Sequence, residues 1–185
     1  MLLLALICPR WSQAEELVPA LLAFDPPAFL SGSVSGPGNP AVAGGSREVR
    51  RYAAADNDPR TSQRLLIVSV RETGAAVDAL RAEMQAAMNA LRNATNVSQV
   101  TDAEVGGQAA LLASYQVPRP YWQKPDGVFF PYEVYWVRVQ TNQVVEIKLI
   151  ADSPEHLATL KACLPQFKIT KTAAATATKS TAVAP

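Results

Sequence analysis

Residues 132 to 150, YEVYWVRVQTNQVVEIKLI, constrain the fold more than any other stretch of the chain. Apolar and polar residues alternate on both sides of Thr141-Asn142-Gln143, the period of a strand rather than of a helix, with turn residues between. A three-residue loop over Thr141, Asn142 and Gln143, with Asn142 or Gln143 near the left-handed region, sets Tyr135, Val137 and Val139 opposite Leu149, Ile147 and Val145. One face of the hairpin is then wholly apolar. A two-residue loop would put Arg138 opposite Val145 on that face, so the longer loop is preferred. With Tyr135 turned inward, Trp136 and Glu133 are expected on the other face.

The elements around the hairpin follow from period and punctuation. Arg47 to Tyr52 reads as a strand, and Leu65 to Val70, LLIVSV, as a central buried one. From Gly74 to Asn93, with Thr73 as N-cap, Val77, Leu80, Met84, Met88 and Leu91 recur at spacings of three and four and form the apolar stripe of a helix. Val100 to Val105 and Gln108 to Val117, divided by Gly106-Gly107, are two strands of a hairpin or one strand bent at the glycines. Ser153-Pro154-Glu155 opens a last helix with a capping serine, proline at the first helical position and an acid in the first turn. Leu157, Leu160 and Leu164 are its buried stripe, Pro165 closes it, and QFKIT leaves as a short extended piece.

The ends differ in composition from this middle. Met1 to Ala14 has an apolar run from Leu2 to Cys8, with Ser12 and Ala14 placed as the small residues of a signal peptidase site, and is read as a signal peptide that exports the chain to an extracytoplasmic compartment, periplasmic or secreted. Those seven apolar residues are far short of the roughly 20 that a membrane span needs. Residues 15 to 46 are expected to be a flexible segment, because Ser31 to Gly45 holds five of the nine glycines with two prolines. Residues 171 to 185 are small and polar and are expected to be a disordered tail. The globular domain is therefore expected over 47 to 170.

Charge and chemistry narrow the function. With 17 basic against 16 acidic residues and no basic cluster, nucleic acid is not an expected partner. The one histidine, His156, and the one cysteine beyond the signal, Cys163, lie seven apart on one helix, about 10.5 Å along its axis, too far for a nucleophile and its base. They are read as a solvated first-turn residue and a buried small hydrophobe. Asp56-Asn57-Asp58 begins like a calcium loop, but Thr61 and Ile67 stand where the glycine and the bidentate glutamate belong, so it reads as a turn. Met84 and Met88 are read as core filler. Asn93-Ala94-Thr95 and Asn96-Val97-Ser98 match the glycosylation sequon at the end of the helix, a surface location. No catalytic residue, metal ligand or cofactor is expected.

The order of these elements, with LLIVSV, VGGQA, LLASYQV and the terminal SPEHLATLKACLPQFKI, resembles the PsbP-like α/β/α sandwich superfamily over about residues 47 to 170. The resemblance implies an α+β fold: an antiparallel sheet with helices packed on both faces. Members of that superfamily are mostly non-enzymatic accessory or binding proteins, and no site motif is shared from which residue roles could be carried over.

One surface remains as a candidate site. Residues 120 to 136, PYWQKPDGVFFPYEVYW, hold seven of the thirteen aromatic side chains, and those of Pro120 to Pro131 sit among loop-forming residues. Tyr121, Trp122, Phe129 and Phe130 either tuck over the sheet edge or meet a partner, a protein or a small ligand. The expected function is a non-enzymatic exported binding or accessory protein. The alternative is an extracytoplasmic hydrolase or other enzyme using carboxylates, with Asp126, Glu133 and Glu146 as the nearest candidates. Export has a direct test: mass spectrometry of the isolated protein is expected to find a mature terminus at Glu15 outside the cytoplasm, and an intact Met1 terminus in soluble cytosol would refute it.

Overall fold

The computed structural model describes residues 15–18, 21–34, 46–57, 63–76, 78–118 and 129–170. Along the chain the elements are β1 (Glu15–Val18), β2 (Leu22–Phe24), β3 (Leu30–Val34), β4 (Ser46–Ala54), β5 (Arg64–Glu72), α1 (Leu80–Asn89), β6 (Thr101–Val105), β7 (Gln108–Pro118), β8 (Phe129–Gln140), β9 (Gln143–Ala151), α2 (Pro154–Lys161), a single 3-10 turn (Leu164–Gln166) and β10 (Phe167–Ile169). Seven strands form one antiparallel sheet in the order β3-β4-β5-β9-β8-β7-β6, and β1-β2-β10 form a second, smaller one. The chain is an α+β protein.

The expected hairpin is β8 and β9, but its register is two residues away from the expected one: Leu149 faces Glu133 rather than Tyr135, and Ile147 faces Tyr135 rather than Val137. Gln140 pairs with Gln143, so the loop is the two residues Thr141 and Asn142. A bulge between Arg138 and Gln140 then absorbs Val139, and Tyr135 meets Ile147 while Val137 meets Val145. The bulge keeps the apolar residues of both strands on one face, as a third loop residue was expected to, but with different cross-strand partners. Tyr135, Val137, Val139, Val145, Ile147 and Leu149 still enter one buried cluster, and Arg138 stands opposite Val144 instead of Val145. Asn142 has no left-handed backbone; among the described non-glycine residues that conformation belongs to Asn96, with φ of 51°.

Side-chain alternation along β8 divides the core in two. Tyr135, Val137 and Val139 pack with Tyr52, Leu66 and Val68 of β4 and β5 and with Leu160 of α2. Val134 and Trp136 pack instead with Ala113 and Tyr115 of β7 and with Leu80, Met84 and Met88 of α1. The two helices thus draw on alternate residues of the same strand. Glu133 corrects the sequence reading: it shares the parity of Tyr135, not of Trp136, and its carboxylate accepts from the Tyr135 hydroxyl and, at 3.0 Å, from Lys161 Nζ of α2.

Helix α1 is shorter than its apolar stripe suggests. Thr73 is no N-cap: its hydroxyl accepts from Ala75 N at 3.1 Å and donates to Glu83, the local bonding of a turn. The carbonyls of Ala75 and Ala76 accept from the Arg138 guanidinium at 2.9 and 3.4 Å, which holds this segment against the sheet before the helix begins. Helix α2 starts as the sequence predicts, with Ser153 Oγ accepting from His156 N at 3.2 Å and Pro154 in the first turn, but it ends at Lys161, so Cys163 lies beyond it and Leu164 and Pro165 belong to the 3-10 turn.

Within the segment expected to be flexible, Glu15–Val18, Leu22–Phe24 and Leu30–Val34 form β1, β2 and β3. What orders them is Phe24, fully buried, its ring stacked on Phe167 at 4.2 Å between centroids and edge-on to Tyr52 at 5.0 Å. The expected signal over 1 to 14, the rest of the glycine-rich segment from 35 to 45, and the tail from 171 lie outside the described residues.

Gly106 and Gly107 resolve as the two-residue loop of the β6–β7 hairpin, with φ of +57° and +73°. Gly106 also donates its N–H to Leu164 O at 3.1 Å, and a Cβ built on it would stand 2.0 Å from the carbonyl oxygen of Phe167. Nothing lies within 4 Å of a Cβ on Gly107. Gly107→Ala is therefore expected to cost only the left-handed penalty, about 1–2 kcal/mol, and Gly106→Ala clearly more, because the backbone of β10 must also move. Paired denaturant melts of the two variants check this; equal losses would show that the close approach to Phe167 carries no weight.

Candidate functional site

The aromatic stretch divides where β8 begins. Phe129 pairs with Pro118 at the end of the β7–β8 ladder and is 42% exposed, whereas Phe130, opposite Val117, is 3% exposed. One residue of strand alternation accounts for the difference. Tyr132 and Tyr115 face each other across the two strands with rings stacked at 4.9 Å, and burial raises the pKa of both hydroxyls. Of the four candidate contact residues, Phe130 is thus a packed side chain and Phe129 an exposed one; Tyr121 and Trp122 lie outside the described residues. The sequence reading of a loop through Pro131 also needs correction, since Phe129 to Tyr132 already belong to β8.

The carboxylates of the enzymatic alternative do not converge. Glu133 points to the α2 side, with Tyr135 and Lys161, as described above. Glu146 is on the α1 side: it pairs across strands with Trp136, accepts from the indole Nε1 at 2.9 Å, and has Lys148 Nζ at 3.9 Å. The two carboxylates therefore lie on opposite faces of the sheet and cannot act together on one bond. Asp126 lies outside the described residues. Glu146 is 6% exposed, and burying a carboxylate this deeply requires donors of this kind.

Around Glu146 the α1 side carries a polar layer that a reading of single strands does not reveal. The Arg71 guanidinium carbon lies 4.7 Å from the Trp136 ring centroid, a cation–π contact, and Arg71 Nε is 3.9 Å from Glu83 Oε1 of α1. Glu83 in turn accepts from Thr73. Strand alternation does place Arg71 on the face of Ser69, but only the order β5-β9-β8 brings it to Trp136. The layer ties α1 to the sheet by charge and hydrogen bonds where the helix has few buried residues.

The remaining sequence candidates are accounted for locally. His156 is not simply solvated as expected: it is half-buried, and its Nδ1 contacts Oδ1 of Asp152, the residue before the Ser153 cap. Cys163 is 1% exposed, its Sγ 3.7 Å from Thr159 O, and burial pushes its thiol up to about 11, so it is protonated at neutral pH and a poor nucleophile. Asp56 and Asn57 form the expected turn and hold Arg64 by an ion pair of 2.9 Å and by Asn57 Oδ1 accepting from Arg64 N at 2.9 Å. In a cleft beside α1, lined by Asp78, Arg81, Gln85, Gln99 and Val100, Arg81 donates to Val100 O at 2.6 Å and Gln85 accepts from Val100 N at 2.8 Å. Among the described residues no three of His, Cys, Asp and Glu are grouped to hold a metal ion, and no helix is long and apolar enough to cross a membrane.

The Trp136–Glu146 pair has a measurable signature. Trp136→Phe leaves a buried carboxylate without its indole donor and is expected to destabilise the fold by about 1–3 kcal/mol. Adding Glu146→Leu removes the orphaned charge, so the double variant is expected to be more stable than Trp136→Phe alone. Chemical denaturation of the single and double variants measures the coupling; strictly additive losses would mean the pair does not interact.

No family model matches the chain, and no curated protein matches it. Among solved structures, the solution structure of cyanobacterial PsbP (CyanoP) from Synechocystis sp. PCC 6803 is similar to it, with a TM-score of 0.41 and 15% sequence identity over 80% of this chain and 86% of that one. No residue role passes from that structure to this chain.

Proposed function

We propose that the chain is a binding or accessory protein of an extracytoplasmic compartment, and that it meets its partner at the end of the sheet where the aromatic run enters β8. The observation that carries this reading is the exposure of Phe129, 42%, beside a residue that is almost fully buried. A ring left in water at the end of an ordered ladder, seven residues after Trp122 in the sequence, is the composition of a contact patch, since aromatic side chains dominate the binding energy of interfaces. The opposite facing of Glu133 and Glu146 weighs against the hydrolase alternative.

The test compares two neighbouring rings. Trp122→Ala with Phe129→Ala is expected to abolish capture of the partner from the extracytoplasmic fraction while changing stability by no more than about 0.5 kcal/mol, as substitutions away from a core do. Phe130→Ala is expected to cost about 3–5 kcal/mol, typical of a buried aromatic, with partner capture retained at low temperature. Undiminished capture by the Trp122/Phe129 variant would overturn the proposal.

A further inference from the structure

The seven-stranded sheet ends in β6 on one side and β3 on the other, and the two edges are chemically unlike. On β6, Asp102 and Glu104 are exposed, and pairing two such strands about Ala103 would set acid against acid. Strand β3 reads Leu30-Ser31-Gly32-Ser33-Val34, with no charge, no proline and an unbroken register against β4. Those are the features that natural edge strands use to avoid pairing, and β3 lacks them.

The hydrogen-bonding phase of β3 follows from one contact. Phe29 O accepts from Ala55 N at 3.1 Å, one step before Leu30 pairs with Ala54. In an antiparallel ladder the N–H and C=O of a residue point to one side, and successive residues alternate. Phe29, Ser31 and Ser33 thus turn toward β4, and Leu30, Gly32 and Val34 turn their backbone groups outward. Leu30 N–H is taken by Pro27 O at 2.9 Å, which leaves its carbonyl facing out, and Gly32 is exposed.

We infer that β3 is a homodimer edge, pairing antiparallel with β3 of a second copy about a two-fold axis at Gly32. The strand is a chemical palindrome about that glycine: serine on either side of it, then an aliphatic residue on either side of those. In this register the two Gly32 residues exchange N–H···O bonds, and each Val34 N–H meets the Leu30 carbonyl of the other copy, the group that Pro27 leaves unbonded. Ser31 stands opposite Ser33 of the second copy, and no like charges meet. A foreign strand would match the backbone groups, but the palindrome selects a copy of the same strand, and the contact is isologous as a two-fold requires. The two seven-stranded sheets become one.

Sedimentation of the full chain, at concentrations on the order of tens of micromolar to make a modest self-affinity visible, is expected to give twice the chain mass. Gly32→Pro removes the outward N–H without touching a bond to β4, and proline is tolerated on edge strands, so a monomer of unchanged secondary structure is expected. If that variant fails to fold, a charge pair decides. Ser31→Lys with Ser33→Lys sets ammonium against ammonium and is expected to be monomeric, and mixing it with a chain carrying Ser31→Glu and Ser33→Glu is expected to restore a dimer that contains both. An unmodified chain that stays monomeric throughout this range overturns the inference, as does a dimer that persists in the doubly lysine-substituted chain.

Discussion

The interior depends on β8 being buried on both faces at once. A strand with one wet face needs only alternation, but β8 must give Tyr135 and Val137 to one cluster and Val134 and Trp136 to another, with Glu133 and Arg138 accommodated between. A slip of one residue would exchange the faces, putting Trp136 under α2 and Tyr135 under α1. The bulge at Val139 is what makes the required register compatible with a short loop. Arg138, placed beside the bulge, then serves the structure by binding the carbonyls of Ala75 and Ala76 and so fixing the approach to α1.

Much of this was legible in the sequence, because the strands from Ser46 onward are long, periodic and bounded by turn residues. The central position of the LLIVSV strand, the β8–β9 hairpin and the start of α2 rest on local pattern, whereas the fold class was implied by the resemblance that the element order carries, and the glycine pair left hairpin and bent strand both open for β6 and β7. What was not legible depended on contacts distant along the chain. The strands before Val34 are short and poor in pattern, and Phe24 orders them only because Phe167 and Tyr52 arrive from elsewhere. The length of α1 was overread because the apolar stripe continues past the residues that Arg138 and Thr73 hold in another geometry. The candidate contact surface was half legible: composition singled out the aromatic run, but only strand parity separates Phe129 from Phe130.

Three carboxylates beneath the helices share one character. Glu133 is matched by Tyr135 and Lys161, and Glu146 by Trp136, while Glu83 is met by Thr73 and lies near Arg71. Groups satisfied in this way specify which helix sits over which strand, and they have little capacity left to bind a reacting molecule. Among the described residues, the exposed Phe129 ring at the end of one ladder and the uncharged edge strand β3 are features of a different kind.

The three-stranded sheet joins parts of the chain that are almost as far apart as the described residues allow. Phe24 in β2 stacks on Phe167 in β10, and the β6–β7 turn closes on the same segment through Gly106. Pairing so distant in sequence is entropically expensive to form early, so the local hairpins have reason to assemble first and this clasp to close over them. A chain still emerging from synthesis would hold Leu22, Phe24 and Tyr52 uncovered until β10 had been made. The domain is thus completed by its last strand, and a nascent chain lacking it would present the very apolar surface that holding factors recognise.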